Sequence, residues 1–257
     1  MNMMPSRLLG LLAVTLLAAA CPVKEDRDLC PCFLTLDFTS VDSVTVTSVG
    51  LLVTAQDGFA LSDTLDMVST GRYLAEVPRD VIHVRAWSGT GALASEEGLI
   101  IPSGQDCPLV YMHDSDVKTR QETVCETIIM RKNHCRLTIC ADGDEFPFDM
   151  TVKGNVCGYD AYGMPLSGNF DYRLRPEDTG DCSVVLPRQT DASLLLYIDG
   201  GGDDVKCFAL GEYIVASGYD WNSPDLEDIS VTMDFAMMEV RLIIDGWESV
   251  YTYDIVI

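Results

Sequence analysis

The stretch Cys32-Phe33-Leu34-Thr35-Leu36-Asp37-Phe38 sets the fold class of this 257-residue chain. Leu34, Leu36 and Phe38 alternate with polar neighbours, and a period of two residues is typical of a strand with one buried face. The same alternation recurs further along the chain, in residues 44–47, 73–77, 81–87 and 229–235. Gly, Pro and Asp separate these segments, and no segment of ten or more residues keeps an apolar stripe at helical spacing. The sequence therefore predicts an all-β protein built as a β-sandwich or barrel.

The chain is strongly acidic, with 17 Lys and Arg against 40 Asp and Glu and a formal net charge of −23. Nucleic-acid binding depends on clustered basic residues, so this balance argues against a DNA or RNA partner. The same charge repels an anionic membrane surface, which leaves covalent or hydrophobic attachment as the route to a membrane. At 47% hydrophobic residues, the chain can bury a core and is not a disordered acidic tail.

Residues 1–20 have the composition of a secretory signal peptide. Arg7 precedes an apolar run over residues 8–20, which is shorter than the ~20 residues that a membrane-spanning helix needs. Leu17-Ala18-Ala19-Ala20-Cys21 looks like a bacterial lipobox, although its leucine stands four places before the cysteine instead of three. This likeness implies cleavage before Cys21 and acylation of that cysteine, with palmitate among the expected chains. Ordinary secretion with Cys21 free or disulfide-bonded stays open as the alternative.

An acidic tether is expected from the lipidated cysteine to residue 32. Lys24, Glu25 and Asp26 resemble the short signal that sends Bacteroidales lipoproteins to the outer face of the outer membrane. The alternative for these three residues is a solvated, charged spacer with no signalling role.

Signatures of catalysis and of metal binding are scarce. The chain has ten cysteines but no C-x-x-C, and His83, His113 and His134 show no ligand spacing with one another. Cys125, His134 and Cys135 are the only ligand set worth naming, and buried thiols or structural disulfides are the favoured role for the cysteines. No nucleophile elbow, H-E-x-x-H or phosphate-binding loop occurs. The sequence predicts no enzyme, no metal and no cofactor.

Two domains are expected. The polar residues 113–116 follow the apolar residues 109–112 and indicate a boundary near residue 117. This gives an N-terminal β-sandwich domain over residues 33–117 and a C-terminal one over residues 118–257, both of a size that suits small sandwiches.

The last predicted strand covers residues 250–257. Its apolar or aromatic face consists of Tyr251, Tyr253, Ile255 and Ile257. A terminal strand this apolar either completes its own sheet or adds to the sheet of a partner.

Residues 21–38 (CPVKEDRDLCPCFLTLDF) closely resemble the opening of the FimB-type fimbrial anchor family of Bacteroidales, the anchors of type V pili. Residues 84–89, 211–213 and 229–257 are similar to further blocks of that family. The resemblance implies two tandem transthyretin-like β-sandwich domains on a lipoprotein of the cell outer membrane. It also implies that the protein anchors a fimbria, holds its shaft to the cell surface and limits its length.

Shaft subunits of that family join by β-strand addition, so the resemblance implies a fimbrial shaft subunit as the partner of Tyr251, Tyr253, Ile255 and Ile257. The second interpretation is a surface lipoprotein that binds glycans or peptides through loops at the ends of the sandwiches. Its candidate aromatic patch consists of Tyr159, Tyr162 and Tyr172. The third interpretation is a lipoprotein hydrolase, which requires a base and a nucleophile that the fold brings together.

Overall fold

The computed structural model describes residues 30–89, 98–141, 149–160, 162–175, 181–199, 205–234, 239–244 and 247–252. Within these ranges the chain forms eighteen β-strands and one short helix, α1 (Leu210–Ala216). The strands lie in four sheets, and the prediction of an all-β protein with β-sandwich architecture is confirmed.

The first sandwich consists of sheets I and II. Sheet I has three strands, in the order β4 (Arg72–Val77), β1 (Cys32–Asp37) and β8 (Thr123–Thr127). Sheet II has five, in the order β3 (Ala60–Asp66), β2 (Ser48–Ala55), β5 (Val81–Ser88), β7 (Tyr111–Lys118) and β9 (Arg131–Lys132).

The second sandwich consists of sheets III and IV. Sheet III runs in the order β12 (Pro165–Arg173), β11 (Asp149–Tyr159), β14 (Leu195–Asp199) and β15 (Val205–Phe208), and β6 (Leu99–Ile100) also pairs with β11. Sheet IV runs in the order β13 (Cys182–Pro187), β10 (His134–Ala141), β16 (Ile229–Asp234), β17 (Glu239–Ile244) and β18 (Trp247–Thr252).

The two sandwiches repeat one topology. In sheet I, β1 pairs antiparallel with β4 and parallel with β8. In sheet IV, β10 pairs antiparallel with β13 and parallel with β16, at the same places in chain order. The antiparallel order β3-β2-β5-β7 of sheet II likewise matches β12-β11-β14-β15 of sheet III. The second sandwich therefore contains the seven-strand unit of the first, followed by the β17–β18 hairpin.

The repeat bears on the boundary expected near residue 117. β8 pairs with β1 and β9 pairs with β7, so both strands belong to sheets of the first sandwich. The polar residues 113–116 that suggested a boundary lie within β7, where Asp114 and Asp116 are exposed and His113 and Ser115 are half-buried. The domain limits stay a prediction, and the pairings favour a division after Lys132.

Each sandwich has its own buried core. Leu34, Leu36 and Phe38 are at most 2% exposed and belong to the core of the first sandwich, which fits the alternation seen in the sequence. The second core also includes Trp87 and Met112, two residues from strands of sheet II. Because these side chains pack into the neighbouring core, the two sandwiches share an apolar contact.

Residues 44–47, expected as a strand, form a turn and part of the segment that leads into β2. The Asp42 carboxylate accepts hydrogen bonds from the Val44 N–H at 3.0 Å and the Thr45 hydroxyl at 2.7 Å. A carboxylate that bonds to the main chain two residues later stabilises a turn rather than a strand.

Within the described ranges, no helix has the length and apolar character needed to cross a bilayer.

Candidate functional site

The C-terminal strand lies at one side of sheet IV. β18 pairs antiparallel with β17, with Tyr251 opposite Val240 and Trp247 opposite Ile244. Within the described ranges β17 is its only strand neighbour, so β18 is an outer strand of the sheet. Tyr251 is thus placed on an outer strand, whereas Tyr253, Ile255 and Ile257 lie outside the described residues.

The predicted lipidation site Cys21 and the predicted export signal Lys24, Glu25 and Asp26 also lie outside the described residues. The described chain begins at Cys30, which is exposed, and continues directly into β1. The described chain therefore enters the first sandwich at β1, which is the middle strand of sheet I.

β8 is an outer strand of the first sandwich. The Phe33 N–H donates to the Glu122 carbonyl at 2.9 Å, and the Ile128 N–H donates to the Asp37 carbonyl at 2.9 Å. In a parallel ladder, alternate residues direct their main-chain groups to the same neighbour, so the even-numbered residues of this segment face β1. The odd-numbered residues direct their N–H and C=O groups to the opposite side, where the described ranges contain no further strand. These residues are Thr123, Cys125 and Thr127.

A groove of about 500 Å³ lies at the C-terminal end of β8, between the β1–β2 connection and the start of β7. Thr127 forms part of its wall, and most of the remaining lining is apolar. The apolar and aromatic lining residues are Val41, Val46, Tyr111, Ile129 and Met130. Ile129 is 46% exposed, so the groove presents an apolar side chain to solvent.

His113 lies beneath β8, on the inner face of β7. Nδ1 of His113 lies 3.2 Å from the Ile129 nitrogen and 3.3 Å from the Ile129 carbonyl oxygen, and Nε2 lies 3.0 Å from the Ser115 hydroxyl. Burial lowers the pKa of His113, although the nearby Glu126 carboxylate, 3.8 Å from Nε2, acts in the opposite direction. The ring is therefore held neutral and serves as a structural hydrogen-bonding group.

A charged cluster covers the outer face of sheet II. His83 approaches Asp114 at 2.7 Å and Asp116 at 2.9 Å, and Arg85 Nε lies 3.6 Å from Asp114. The Arg85 guanidinium also lies over the ring of Tyr162, 5.0 Å from its centre, which links the two sandwiches. Among the described residues, no group of three or more His, Cys, Asp or Glu side chains has a metal-binding arrangement.

A buried polar network joins the sandwiches. Tyr159 is fully buried, and its hydroxyl accepts the Arg188 N–H at 2.8 Å and donates to the Asn133 carbonyl. The Arg188 side chain donates to the Asn133 amide oxygen at 2.5 Å and to the carbonyls of Ser223, at 2.8 Å, and Trp221. Burial raises the pKa of Tyr159, so the hydroxyl keeps its proton and can donate. This network fixes the linker residue Asn133 to the second sandwich.

Two ion pairs reinforce the same junction. Arg131 pairs with Asp225 at 2.7 Å, and Lys132 pairs with Asp228 at 2.6 Å. Partial burial acts to raise the pKa of Asp225, but the Lys132 N–H and the Arg131 guanidinium lower it overall. The loop before β16 is therefore bound to β9 by charge as well as by hydrogen bonds.

The three tyrosines that would support a loop-mediated glycan or peptide site do not form one exposed patch. Tyr159 is buried in the junction, Tyr162 is 69% exposed, and Tyr172 packs partly against the second core. Cys125, His134 and Cys135, all within the described residues, are not assembled as ligands either, and Nδ1 of His134 instead lies 3.0 Å from the Val110 carbonyl oxygen. Cys135 is a buried free thiol whose pKa burial raises to about 12.

Comparison with known proteins gives a result at the level of the fold. No protein-family model matches the chain, and no curated protein matches it by sequence. A Bacteroides thetaiotaomicron structure described as a polysaccharide-binding protein aligns with a TM-score of 0.61 at 12% identity, over 87% of this chain and 98% of that one. The fimbrial anchor protein Mfa2 from Porphyromonas gingivalis aligns with a TM-score of 0.60 at 12% identity, over 87% and 100%.

A further B. thetaiotaomicron structure, described as an adhesin, aligns with a TM-score of 0.59 at 12% identity, over 85% of this chain and 97% of that one. Each likeness covers most of both chains, so it includes both sandwiches rather than one. The chain therefore has the tandem β-sandwich fold found in fimbrial anchor and adhesin proteins of Bacteroidales.

Proposed function

We propose that this chain is a surface-exposed lipoprotein of the outer membrane that anchors a fimbria, holds its shaft to the cell and limits its length. Support comes from the fold that it shares with the fimbrial anchor Mfa2 over 87% of its length. The single observation that carries the assembly role is that β18 is, within the described ranges, an outer strand of sheet IV. An outer strand offers main-chain groups to a partner strand, which is the chemistry of β-strand addition.

Attachment to the membrane is assigned to acyl chains on Cys21. Each buried methylene contributes about 0.8 kcal/mol, so two or more chains hold a protein that one chain would hold only weakly. Because the chain carries a net charge of −23, an electrostatic contribution from anionic lipid is unfavourable and the acyl chains must suffice. Lys24, Glu25 and Asp26 then direct the lipoprotein to the outer face of the membrane.

The variant Cys21→Ala tests this attachment. It should lose labelling by a clickable palmitate analogue and move from the membrane fraction to the soluble fraction. Cys30→Ala is the matched control, because Cys30 is an exposed thiol close in sequence and should leave labelling unchanged. Undiminished labelling of the Cys21→Ala protein would reject the lipidation site.

Contact with the first shaft subunit is assigned to the apolar face of the C-terminal strand. Main-chain hydrogen bonds supply affinity in strand addition, and alternate side chains in pockets supply specificity. Tyr251, Tyr253, Ile255 and Ile257 supply those side chains. Because the anchor is fixed in the membrane, a shaft that ends on it stops growing at that end, which limits its length.

Deletion of residues 250–257 tests the contact. The host should release fimbriae into the medium, and the released fimbriae should be longer by electron microscopy. The double variant Tyr253→Asp and Ile255→Asp should do the same, while the control Asp254→Ser, on the opposite face of the strand, should retain fimbriae. Fimbriae that stay on cells carrying the deleted but folded protein would reject the assignment.

A further inference from the structure

The chain enters the first sandwich at one end of its strands, which we call the tether end. The tether end consists of residues 56–59, 78–80 and 118–122. Cys32, the first residue of β1, lies there opposite Val77, the last residue of β4. The next residue of β1, Phe33, donates its N–H to the Glu122 carbonyl at 2.9 Å. The start of β1 is therefore bound to the connections that form this end.

Three basic residues lie on two connections that are joined to each other at the tether end. The Thr119 N–H donates to the Asp80 carbonyl at 2.8 Å, and the Asp80 N–H donates to the Thr119 hydroxyl at 3.1 Å. Because the two connections continue the antiparallel register of β5 and β7, the next residues outward, Arg79 and Arg120, are placed opposite each other. Lys118 precedes Thr119 and is exposed, as is Arg120. A fully buried threonine thus fixes the backbone that carries these basic side chains.

The basic side chains of Arg79, Lys118 and Arg120 form no ion pair within the part of the chain that the structure describes. The protein contains 40 Asp and Glu residues, and three of them, Asp57, Asp80 and Glu122, belong to the tether end, whose formal charge is therefore zero. Arginine and lysine bind phosphate oxygens by charge-assisted hydrogen bonds, and arginine can do so through two parallel bonds. These three side chains are available to an anion outside the protein.

The negative charge of the protein is concentrated away from the tether end. Residues 133–257, which include the second sandwich, account for −16 of the net charge of −23. β7 begins at Tyr111, which pairs with Lys132 beside the junction, and ends at Lys118 in the tether end. Eight residues of strand are about 25 Å long, whereas the Debye length in physiological salt is about 8 Å. An anionic surface at the tether end is therefore screened from most of the carboxylates.

An acyl anchor on Cys21 brings a membrane to this end of the molecule. Cys21 precedes Cys30 by nine residues, which span at most about 30 Å when fully extended. The tether, residues 22–29, has a formal charge of only −1, so it adds little repulsion of its own. The anions that a membrane offers within this distance are the phosphate groups of its lipid headgroups.

We propose that Arg79, Lys118 and Arg120 bind phosphate groups of anionic lipid headgroups, so that the tether end faces the membrane and the second sandwich points away from it. The inference rests on the lipid attachment proposed above and adds an orientation to it. The acyl chains supply the attachment, because the net charge of the whole chain opposes binding of an unlipidated protein. The uneven distribution of charge then determines which end of the attached protein faces the bilayer.

Chemical labelling of the full-length lipoprotein in vesicles tests the orientation. One set of vesicles contains phosphatidylcholine alone, and the other contains about 30% phosphatidylglycerol as well. Phenylglyoxal should modify Arg120 about threefold more slowly in the anionic vesicles, whereas the exposed Arg175 of the second sandwich should react equally in both. Salt at about 1 M should remove the difference, because the Debye length falls to about 3 Å. Equal labelling of Arg120 in the two kinds of vesicle would overturn the proposal.

The double variant Arg79→Gln and Arg120→Gln tests the residues themselves. Acetylation of Lys118 by an N-hydroxysuccinimide ester then reports the orientation, and the protection of Lys118 by anionic vesicles should disappear. The matched control is Lys153→Gln with Lys206→Gln, which makes the same change of charge at exposed residues of the second sandwich and should keep Lys118 protected. Protection of Lys118 in the arginine variant equal to that in the wild type would overturn the assignment.

Two controls separate this inference from its alternatives. Inorganic phosphate, added to the protein in detergent without vesicles, should leave the labelling of Arg120 unchanged, and protection by phosphate alone would assign the residues to a soluble anion and overturn the proposal. Flotation of the vesicles reports attachment independently of orientation. If the protein floats with both kinds of vesicle but Arg120 is labelled equally in them, the lipid anchor stands and the orientation fails. If the protein floats with neither, the attachment and the orientation fail together.

Discussion

The Tyr159 hydroxyl lies in the polar network between the two sandwiches, and its removal should lower the free energy of unfolding. The variant Tyr159→Phe removes it with the least change in packing. The ring of Tyr159 is fully buried and stays in place in the variant. What is lost is the acceptor for the Arg188 N–H, at 2.8 Å, and the donor to the Asn133 carbonyl. Both groups then lie in a partly buried site without their partner.

A buried polar group left without its hydrogen bond destabilises a protein by about 1–3 kcal/mol. Because both groups here are only partly buried, the lower part of that range applies, and the two together lower the free energy of unfolding by about 2–4 kcal/mol. For a chain of about this length, each kcal/mol lowers the melting temperature by about 2–4 °C, so the expected decrease is about 4–16 °C.

Urea denaturation and differential scanning calorimetry measure the two quantities, and Tyr162→Phe is the matched control. Tyr162 is 69% exposed, so loss of its hydroxyl should change the free energy of unfolding by less than about 0.5 kcal/mol. Equal, small effects of the two substitutions would refute the reasoning, because they would mean that the junction network contributes no net stability. Faster hydrogen exchange at Arg188 in Tyr159→Phe would locate the effect.

Three further predictions concern packing, pH and thiol reactivity. Gly50→Ala should lower the free energy of unfolding by about 1–3 kcal/mol, since a Cβ at Gly50 would lie 2.5 Å from ring atoms of the buried Trp87; an unchanged urea midpoint would contradict this. Burial lowers the pKa of His113 below its ordinary 6.5, so the unfolded chain binds protons more readily and the free energy of unfolding falls as the pH drops below about 6.5. His113→Gln should therefore flatten that fall in urea titrations between about pH 7 and pH 5, and an equally steep fall would count against it. Burial raises the pKa of Cys107 to about 12, so in iodoacetamide labelling at about pH 8 with mass spectrometry Cys107 should react only after denaturation while the exposed Cys30 reacts in the native protein.

The alternation of apolar and polar residues was enough to predict strands that have one buried and one exposed face. Leu34 and Leu36 are buried while Phe33 is 44% exposed, so the alternation in the sequence reports directly which face meets the core. The pattern was misleading at residues 44–47, because the Asp42 carboxylate stabilises a turn there and leaves Val44 86% exposed. Helix α1 was not predicted, since its seven residues are too few to show an apolar stripe.

The candidate site was harder to predict, because it depends on which strands become neighbours. The apolar alternation of the chain's last residues indicated a strand that includes Tyr251, and the structure places that residue on an outer strand. Nothing in the sequence Thr123-Val124-Cys125-Glu126-Thr127 marks it as the outer strand of a sheet. That status follows from the parallel pairing of β8 with β1, which joins residues about ninety positions apart. The junction at Tyr159 was missed for the same reason, since a tyrosine in a glycine-rich stretch reads as a surface residue until the second core surrounds it.

The central position of β1 has a mechanical consequence. A pull applied through Cys30 along the strand direction loads both hydrogen-bonded ladders of β1 at once, one with β4 and one with β8. Shear of this kind must break the hydrogen bonds of both ladders together, whereas an outer strand can separate from its sheet one hydrogen bond at a time. The lifetime of a protein under tension is set by its unfolding rate rather than by its equilibrium stability. If acyl chains on Cys21 hold the protein as proposed, the load enters at a strand that resists pulling, such as flowing liquid exerts on a long filament.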